Sequence, residues 1–332
     1  MTSNNNFGAE TTAEEVASSF CHQIAGKTIL ITGVSPNGLG AATAQALAKH
    51  DPANLIFTAR TVSKASAVAD TIRAENPNLK TQIHLVQTDL SDLESTRQAA
   101  ADIQKLAAQI DIIINNAGVM AIPEREITKS GVEAHLATNF IGHFVLATLL
   151  SPQLKAAGTK ARIVNIVSGG FYVQPFRFSD YNFDGGKDLP AEEQVDLANA
   201  EKLGMGWVKD AGTGYIPFLA YSQSSTALML FTKGLNEGYS GDNIRAFSAA
   251  PGVVLTELQR HLPSEFRNPN MVYKTASQGV ASFLVAALDP SLEGHLGAHI
   301  DDCQVKETPQ YAKDTEVARK LWTLAQSWVN DA

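Results

Sequence analysis

Cysteine is nearly absent: Cys21 and Cys303 are the only two among 332 residues. That is too few for a disulfide framework, so both are read as reduced thiols. No Lys/Arg-rich run occurs, and 26 basic against 34 acidic residues give a formal net charge of -8. This excludes a nucleic-acid-binding surface. No apolar run reaches the roughly 18 residues that a membrane-spanning helix needs. The polar, acidic opening MTSNNNFGAETTAEEV lacks the features of a secretory or transit peptide. A cytoplasmic protein without a membrane span or a metal site is expected. No Pro/Gly/Ser linker divides the chain, and no internal repeat is present.

With 44% hydrophobic and 18% charged residues, there is ample material for a large core. Residues 1–10 are Asn-rich and apolar-poor and are expected to be disordered. Thr12 and Glu15 form a capping-box pattern that opens a short helix toward Phe20. Apolar runs at 28–32, 54–59, 82–87, 111–115, 162–167, 244–249 and 297–300 then alternate with helical patterns at 41–49, 93–109, 134–156 and 222–238. Continuous apolar strands spaced by helices imply a parallel sheet covered on both faces. The expected fold is α/β: a single doubly wound Rossmann-type domain over 11–332 with a parallel seven-stranded sheet. A long loop-like insertion at 176–217 interrupts the pattern, as lids and binding loops do.

The segment Ile29-Leu30-Ile31-Thr32-Gly33-Val34-Ser35-Pro36-Asn37-Gly38-Leu39-Gly40 is a strand, a glycine-rich turn and the start of an Ala-rich helix. Glycines there let the backbone approach a pyrophosphate, and the helix N-terminus supplies N–H groups and positive dipole. Gly33, Ser35, Asn37, Gly38, Leu39 and Gly40 are the candidate cradle. The second strand ends Thr58-Ala59-Arg60. A carboxylate at that point selects NAD, whereas an arginine accommodates a 2′-phosphate. Arg60, with Lys64 four residues on, therefore favours NADP(H); the alternative is a solvated strand-end charge.

Further segments close later strands: Asp89-Leu90, Asn115-Asn116-Ala117-Gly118, Arg162-Ile163-Val164-Asn165-Ile166-Val167-Ser168 and Pro251-Gly252-Val253-Val254-Leu255-Thr256. With the glycine turn and Ala220-Tyr221-Ser222-Gln223-Ser224-Ser225, they resemble the short-chain dehydrogenase/reductase family. The likeness runs from Thr11 to the C-terminus. It is strongest to the retinol-dehydrogenase-like branch and to fungal reductases of secondary metabolism. It implies that Asp89 and Leu90 meet the adenine side of the cofactor, that Asn116, Ala117 and Gly118 line its cleft, and that Pro251, Gly252, Val254 and Thr256 embrace the nicotinamide. It also implies Tyr221 as acid/base, Ser168 as the orienting hydroxyl and Asn139 as the anchor of a relay water.

Two departures stand out. Four residues separate Gly33 from Gly38 where the family has three, so the turn must bulge, with Pro36 at its outer corner. The family's Tyr-x-x-x-Lys becomes Tyr-x-x-x-Ser, so position 225, by nature or by replacement, lacks the ammonium that holds the phenol's pKa down. Lys233, roughly 18 Å further along a helix, is too far to substitute, and His143 on its apolar helix is read as a packed core histidine.

The resemblance implies an NADP(H)-dependent oxidoreductase, weakened or altered by Ser225. A non-redox isomerase, dehydratase or cyclase on the same fold, and a silent cofactor-binding protein, are the alternatives. Phe171, Tyr172, Phe176, Phe178, Tyr181, Trp207, Tyr215 and Phe218 give the insertion an aromatic character suited to a bulky apolar ligand, or to anchoring the loop itself. The 257–275 segment is expected to wall the same pocket. Helices around 134–156 and 222–238 form a dimer face in relatives, which implies a homodimer.

Overall fold

In a computed structural model, residues 2–157, 161–185, 188–210, 214–261 and 273–330 are described. The 257–275 substrate segment lies largely outside them. Among the described residues there are eight strands: β1 Thr28–Thr32, β2 Asn54–Ala59, β3 Gln82–Gln87, β4 Ile112–Asn115, β5 Ala161–Ile166, β6 Ile244–Ala249, β7 His299–Asp301 and β8 Gln304–Lys306. They form one sheet in the order β3-β2-β1-β4-β5-β6-β7-β8. The helices are α1 Ala13–Ser19, α2 Leu39–Ala48, α3 Val62–Glu75, α4 Leu93–Leu106, α5 Gly142–Leu149, α6 Ser151–Lys155, α7 Leu197–Lys202, α8 Pro217–Gly238, α9 Ala276–Leu288 and α10 Thr315–Asn330.

Strand β1 shows how the sequence builds the layers. Successive side chains point to opposite faces, and all five of its residues are buried. Leu30 joins Ile56 and Ile113 in the core under α4, α5, α8 and α10. Ile29 and Ile31 join Leu55, Phe57 and Ile114 in the core under α2, α3 and α9. Both faces are apolar, so the strand reads as an unbroken apolar run. The strand order reverses between β1 and β4, and the crevice at their carboxyl ends is where such a sheet takes a ligand.

The sheet has one strand more than expected. The added β8 pairs antiparallel with β7, Asp301 opposite Gln304. The connecting residues Asp302 and Cys303 both have positive φ, 49° and 59°, as a tight two-residue hairpin turn demands. No glycine advertises that turn. The 134–156 helix is also interrupted: a π-helical turn at Leu136–Ile141 precedes α5, and Pro152, which has no N–H to donate, lies at the start of the separate α6.

One further expectation is corrected. Residues 2–10 are not loose: Thr2 donates to Gln304 at 2.9 Å, Ser3 bonds Asp289, and Phe7 is buried with its ring edge-on to Phe20. Gln304 and Asp289 are nearly 300 residues away, beyond the reach of local composition. Helix α10 packs on α8 and reaches α5, the two helices expected to form a dimer face. Trp322 stacks edge-on to Phe144 of α5 with centroids 4.9 Å apart and lies 5.9 Å from Phe231 of α8. A Cβ added at Gly234 would come 2.9 Å from that indole, so the small residue is what lets α10 seat.

Candidate active site

The glycine-rich turn sits at the carboxyl end of β1. Gly33 has φ 72°, and a Cβ there would come 2.7 Å from Ala117 Cα; Gly40 is packed as closely, 2.8 Å from the Gly33 carbonyl oxygen. The additional residue is absorbed in a turn over Ser35-Pro36-Asn37-Gly38, closed by Gly38 N–H to the Ser35 carbonyl at 3.2 Å. Asn37 takes the left-handed conformation at φ 59°. Proline before a left-handed asparagine is the chemistry of a type II turn. The bulge expected at Pro36 is therefore a regular turn, and Gly38 still caps α2.

Thr32 ties this cradle to the loop after β4. Its Oγ1 accepts from the Asn116 and Ala117 N–H groups at 2.9 and 3.0 Å, while Asn116 Nδ2 donates to the Thr32 carbonyl at 2.8 Å. His143 completes the hub: Nδ1 donates to the Asn139 carbonyl at 2.7 Å, leaving Nε2 to accept from Thr32 at 2.9 Å. Burial lowers its pKa to about 4. It is a neutral core histidine, as read from its apolar helix. Arg60 and Lys64 are exposed at the end of β2 and the start of α3. Asp89 accepts from Ser91, and Leu90 is buried against Gly142.

Ser168 follows β5, and Tyr221 and Ser225 lie one turn apart on α8. Ser168 and Ser225 hydroxyl oxygens are 3.1 Å apart, and Ser225 Oγ accepts the Ser168 N–H at 3.3 Å. Ser225 is 3% exposed. Burial pushes the Tyr221 phenol above its ordinary pKa, and a hydrogen bond with Ser168 opposes the rise. No cation contributes to that balance. The α8 helix thus brings the three hydroxyls to one place beside the sheet edge.

Asn139 lies in the π-helical turn. Its Oδ1 accepts from Val119 N–H at 2.8 Å, and its two amide hydrogens go to the Val119 carbonyl at 3.0 Å and Ser224 Oγ at 2.9 Å. Both donors are spent on protein, and its carbonyl is taken by His143. Asn139 thereby joins the loop after β4 to α8. Beyond β6, Gly252 has φ 69° with Lys274 packed over it, Val254 is buried, and Thr256 bonds Gln259 through both N–H and Oγ1. Pro251 precedes that turn.

The aromatic set divides. Phe171 and Phe176 are buried in the main core, Tyr181 packs on Trp328, and Tyr172 bonds the Glu307 carbonyl. Phe218 lies 6.2 Å from Tyr221 by ring centroids and Trp207 6.3 Å from Phe218. Sequence reasoning overlooked Thr32, Ser224 and the buried pair Glu133 and His135. An acid two residues before a histidine in an otherwise apolar stretch was the available signal for the last two. Among the described residues no group of three His, Cys, Asp or Glu is placed to hold a metal, and no helix is long and apolar enough to cross a membrane.

The profile of the short chain dehydrogenase family matches residues 27–182. An oxidoreductase, fscI, of Fusarium equiseti is 41% identical over 249 residues, covering 74% of this chain and 94% of that protein. This chain belongs to the short chain dehydrogenase family. Mouse polyprenol dehydrogenase is 33% identical, over 90% of this chain and 82% of its own, and human retinol dehydrogenase 12 is 31% identical, over 91% and 86%. Among solved structures, the Pseudomonas aeruginosa RhlG/NADP active-site complex superposes with a TM-score of 0.58 at 20% identity, covering 83% of this chain and 94% of that one. That likeness concerns the fold. Membership makes the chain an oxidoreductase of a family that uses NAD(P), with retinol-dehydrogenase-like and fungal relatives.

Proposed function

We propose that the chain interconverts a carbonyl and an alcohol on a bulky apolar small molecule with NADP(H). The observation that carries this is the group of three hydroxyls, Ser168, Tyr221 and Ser225, with Ser168 at the carboxyl end of β5 and a tightly packed glycine turn at the same end of β1. The cofactor fits that turn: Gly33, Gly38 and Gly40 would hold the pyrophosphate, Arg60 and Lys64 a 2′-phosphate, and Val254 and Thr256 the nicotinamide side. When bound, the reduced nicotinamide supplies a hydride.

The residues of the chain do the rest. Tyr221, with a raised pKa, stays protonated at neutral pH and gives its proton to the carbonyl oxygen as negative charge develops there. Ser168 donates a second hydrogen bond to that oxygen and orients it. Ser225 stands where the resemblance places a lysine and touches Ser168 rather than charging the phenol. A phenol left neutral can donate in the reduction, whereas the phenolate that alcohol oxidation needs is scarce near pH 7. Exposed Trp207, next to Phe218, supports an apolar substrate, as do relatives named for retinol and polyprenol.

A second reading, non-redox chemistry in the same crevice, rests on the neutral pair Tyr221 and Ser168, which polarises a carbonyl without a hydride. Fluorescence titration with NADPH and NADH, followed by turnover with and without cofactor, separates the two. Preferential NADPH binding with cofactor-dependent turnover is expected. Turnover without nicotinamide favours the second reading, and no affinity for either nucleotide overturns the site.

A further inference from the structure

Glu133 and His135 are both fully buried, with His135 Nδ1 and Glu133 Oε1 2.6 Å apart. The second carboxylate oxygen accepts the Leu136 N–H at 3.0 Å. The ring's other nitrogen, Nε2, receives the Ile122 N–H at 3.2 Å. A backbone N–H can only donate, so Nε2 is the acceptor and Nδ1 carries the proton toward Glu133. Carboxylate, tautomer and acceptor are thus set in series.

What this chain of bonds holds is the loop after β4. That loop begins at Asn116 on the glycine cradle, is gripped at Val119 by Asn139, and ends at Ile122, whose carbonyl accepts Tyr215 Oη at 2.9 Å. Between the grips, Ala121 is forced to φ 52°. A non-glycine residue keeps that conformation only where its surroundings over-determine it, and such strain gathers at functional sites. The His135 ring itself lies 6.2 Å from the Tyr221 ring, tilted by 58°.

We propose that Glu133 and His135 are positioning residues: a buried clamp that fixes the 118–122 loop as the wall beside Tyr221 and so sets how a carbonyl substrate is seated against that phenol. This rests on the reading of Tyr221 as the acid. The clamp acts on substrate geometry and leaves the phosphate cradle alone, because Thr32 holds the cradle end of the loop independently.

The variants are H135L, which removes the acceptor, and H135Q, whose side-chain oxygen can replace Nε2 as acceptor for Ile122. E133Q, which keeps one of the two bonds, is intermediate. Amide hydrogen exchange at Ile122 reads the clamp without any turnover. Expected are at least tenfold faster exchange at Ile122 in H135L, recovery in H135Q, and NADPH affinity within about twofold of wild type in both. Turnover of a bulky aldehyde should fall at least tenfold in H135L, recover in H135Q, and fall less for a small aldehyde. Unchanged Ile122 exchange in H135L, or equal loss for both variants, overturns the clamp. Should H135L fail to fold, the contrast of H135Q and E133Q with wild type in the same exchange measurement decides. Altered exchange with unaltered kcat and KM overturns the seating role. Absence of nicotinamide binding in the wild type instead overturns the Tyr221 reading, while exchange still judges the clamp.

Discussion

Replacing Ser225 with lysine tests the chemistry most directly. Tyr221 and Ser225 are one helical turn apart on α8, about 6 Å between side-chain origins. At an effective dielectric near 20, an ammonium at that range favours the phenolate by roughly 3 kcal/mol. That is about two pKa units, or about a hundredfold in any step limited by phenolate. Burial, which now holds the phenol above its ordinary pKa, opposes the change but is common to both proteins. The alcohol-oxidation rate, followed by NADPH absorbance from pH 6 to 10, should therefore rise about a hundredfold near pH 7 in S225K, its limb moving about two units down. Reduction should gain less, because a proton donor is already present. S225A is the control for the lost contact with Ser168. A folded S225K that binds NADPH yet keeps the wild-type rate and pH profile would refute the reasoning.

Three other outcomes are expected. Arg60→Ala should weaken NADPH about ten- to a hundredfold while leaving NADH unchanged, since only a 2′-phosphate makes the charge-assisted bond; equal loss for both nucleotides would count against the assignment. His143 and His299 have folded pKa values of about 4, lowered by burial, against about 6.5 unfolded. Between those limits the unfolded state binds more protons, so their contribution is whole above pH 6.5 and is lost as pH falls toward 4, about 3 kcal/mol each; a flat urea midpoint from pH 7 to 4.5 would contradict this. Because α10 packs on α8 and reaches α5, light scattering should give the mass of one chain, and Trp322→Ala should both lower stability, by less than the roughly 3–5 kcal/mol of a fully buried tryptophan, and promote association. A wild-type dimer cross-linked through 142–149 would show that this face was misjudged.

The layered sheet and the location of the crevice were legible because their causes are local. A run such as Thr28–Thr32 is apolar at every position since both faces of a central parallel strand are buried, and the glycines at 33 and 40 are required by close backbone approach whatever lies elsewhere. The extra residue before Gly38 could be read as a bulge from Pro36, while its form as a turn depended on Asn37 accepting positive φ. The site residues Ser168, Tyr221 and Ser225 were legible one by one; their mutual contact was not.

Sequence alone settled the α/β class, the largely parallel apolar strands, the glycine-rich turn and the identity of the residue at 225, each encoded within a few neighbours. Tertiary structure decided what depends on partners far along the chain. Ser225 bonds a serine 57 residues away, residues 2–7 find Asp289 and Gln304, α10 packs Trp322 against Phe144 and Phe231, and Glu133 with His135 closes on Ile122. Composition and periodicity carry no record of such meetings, because hydrogen-bond satisfaction and packing are decided only when distant segments share one interior.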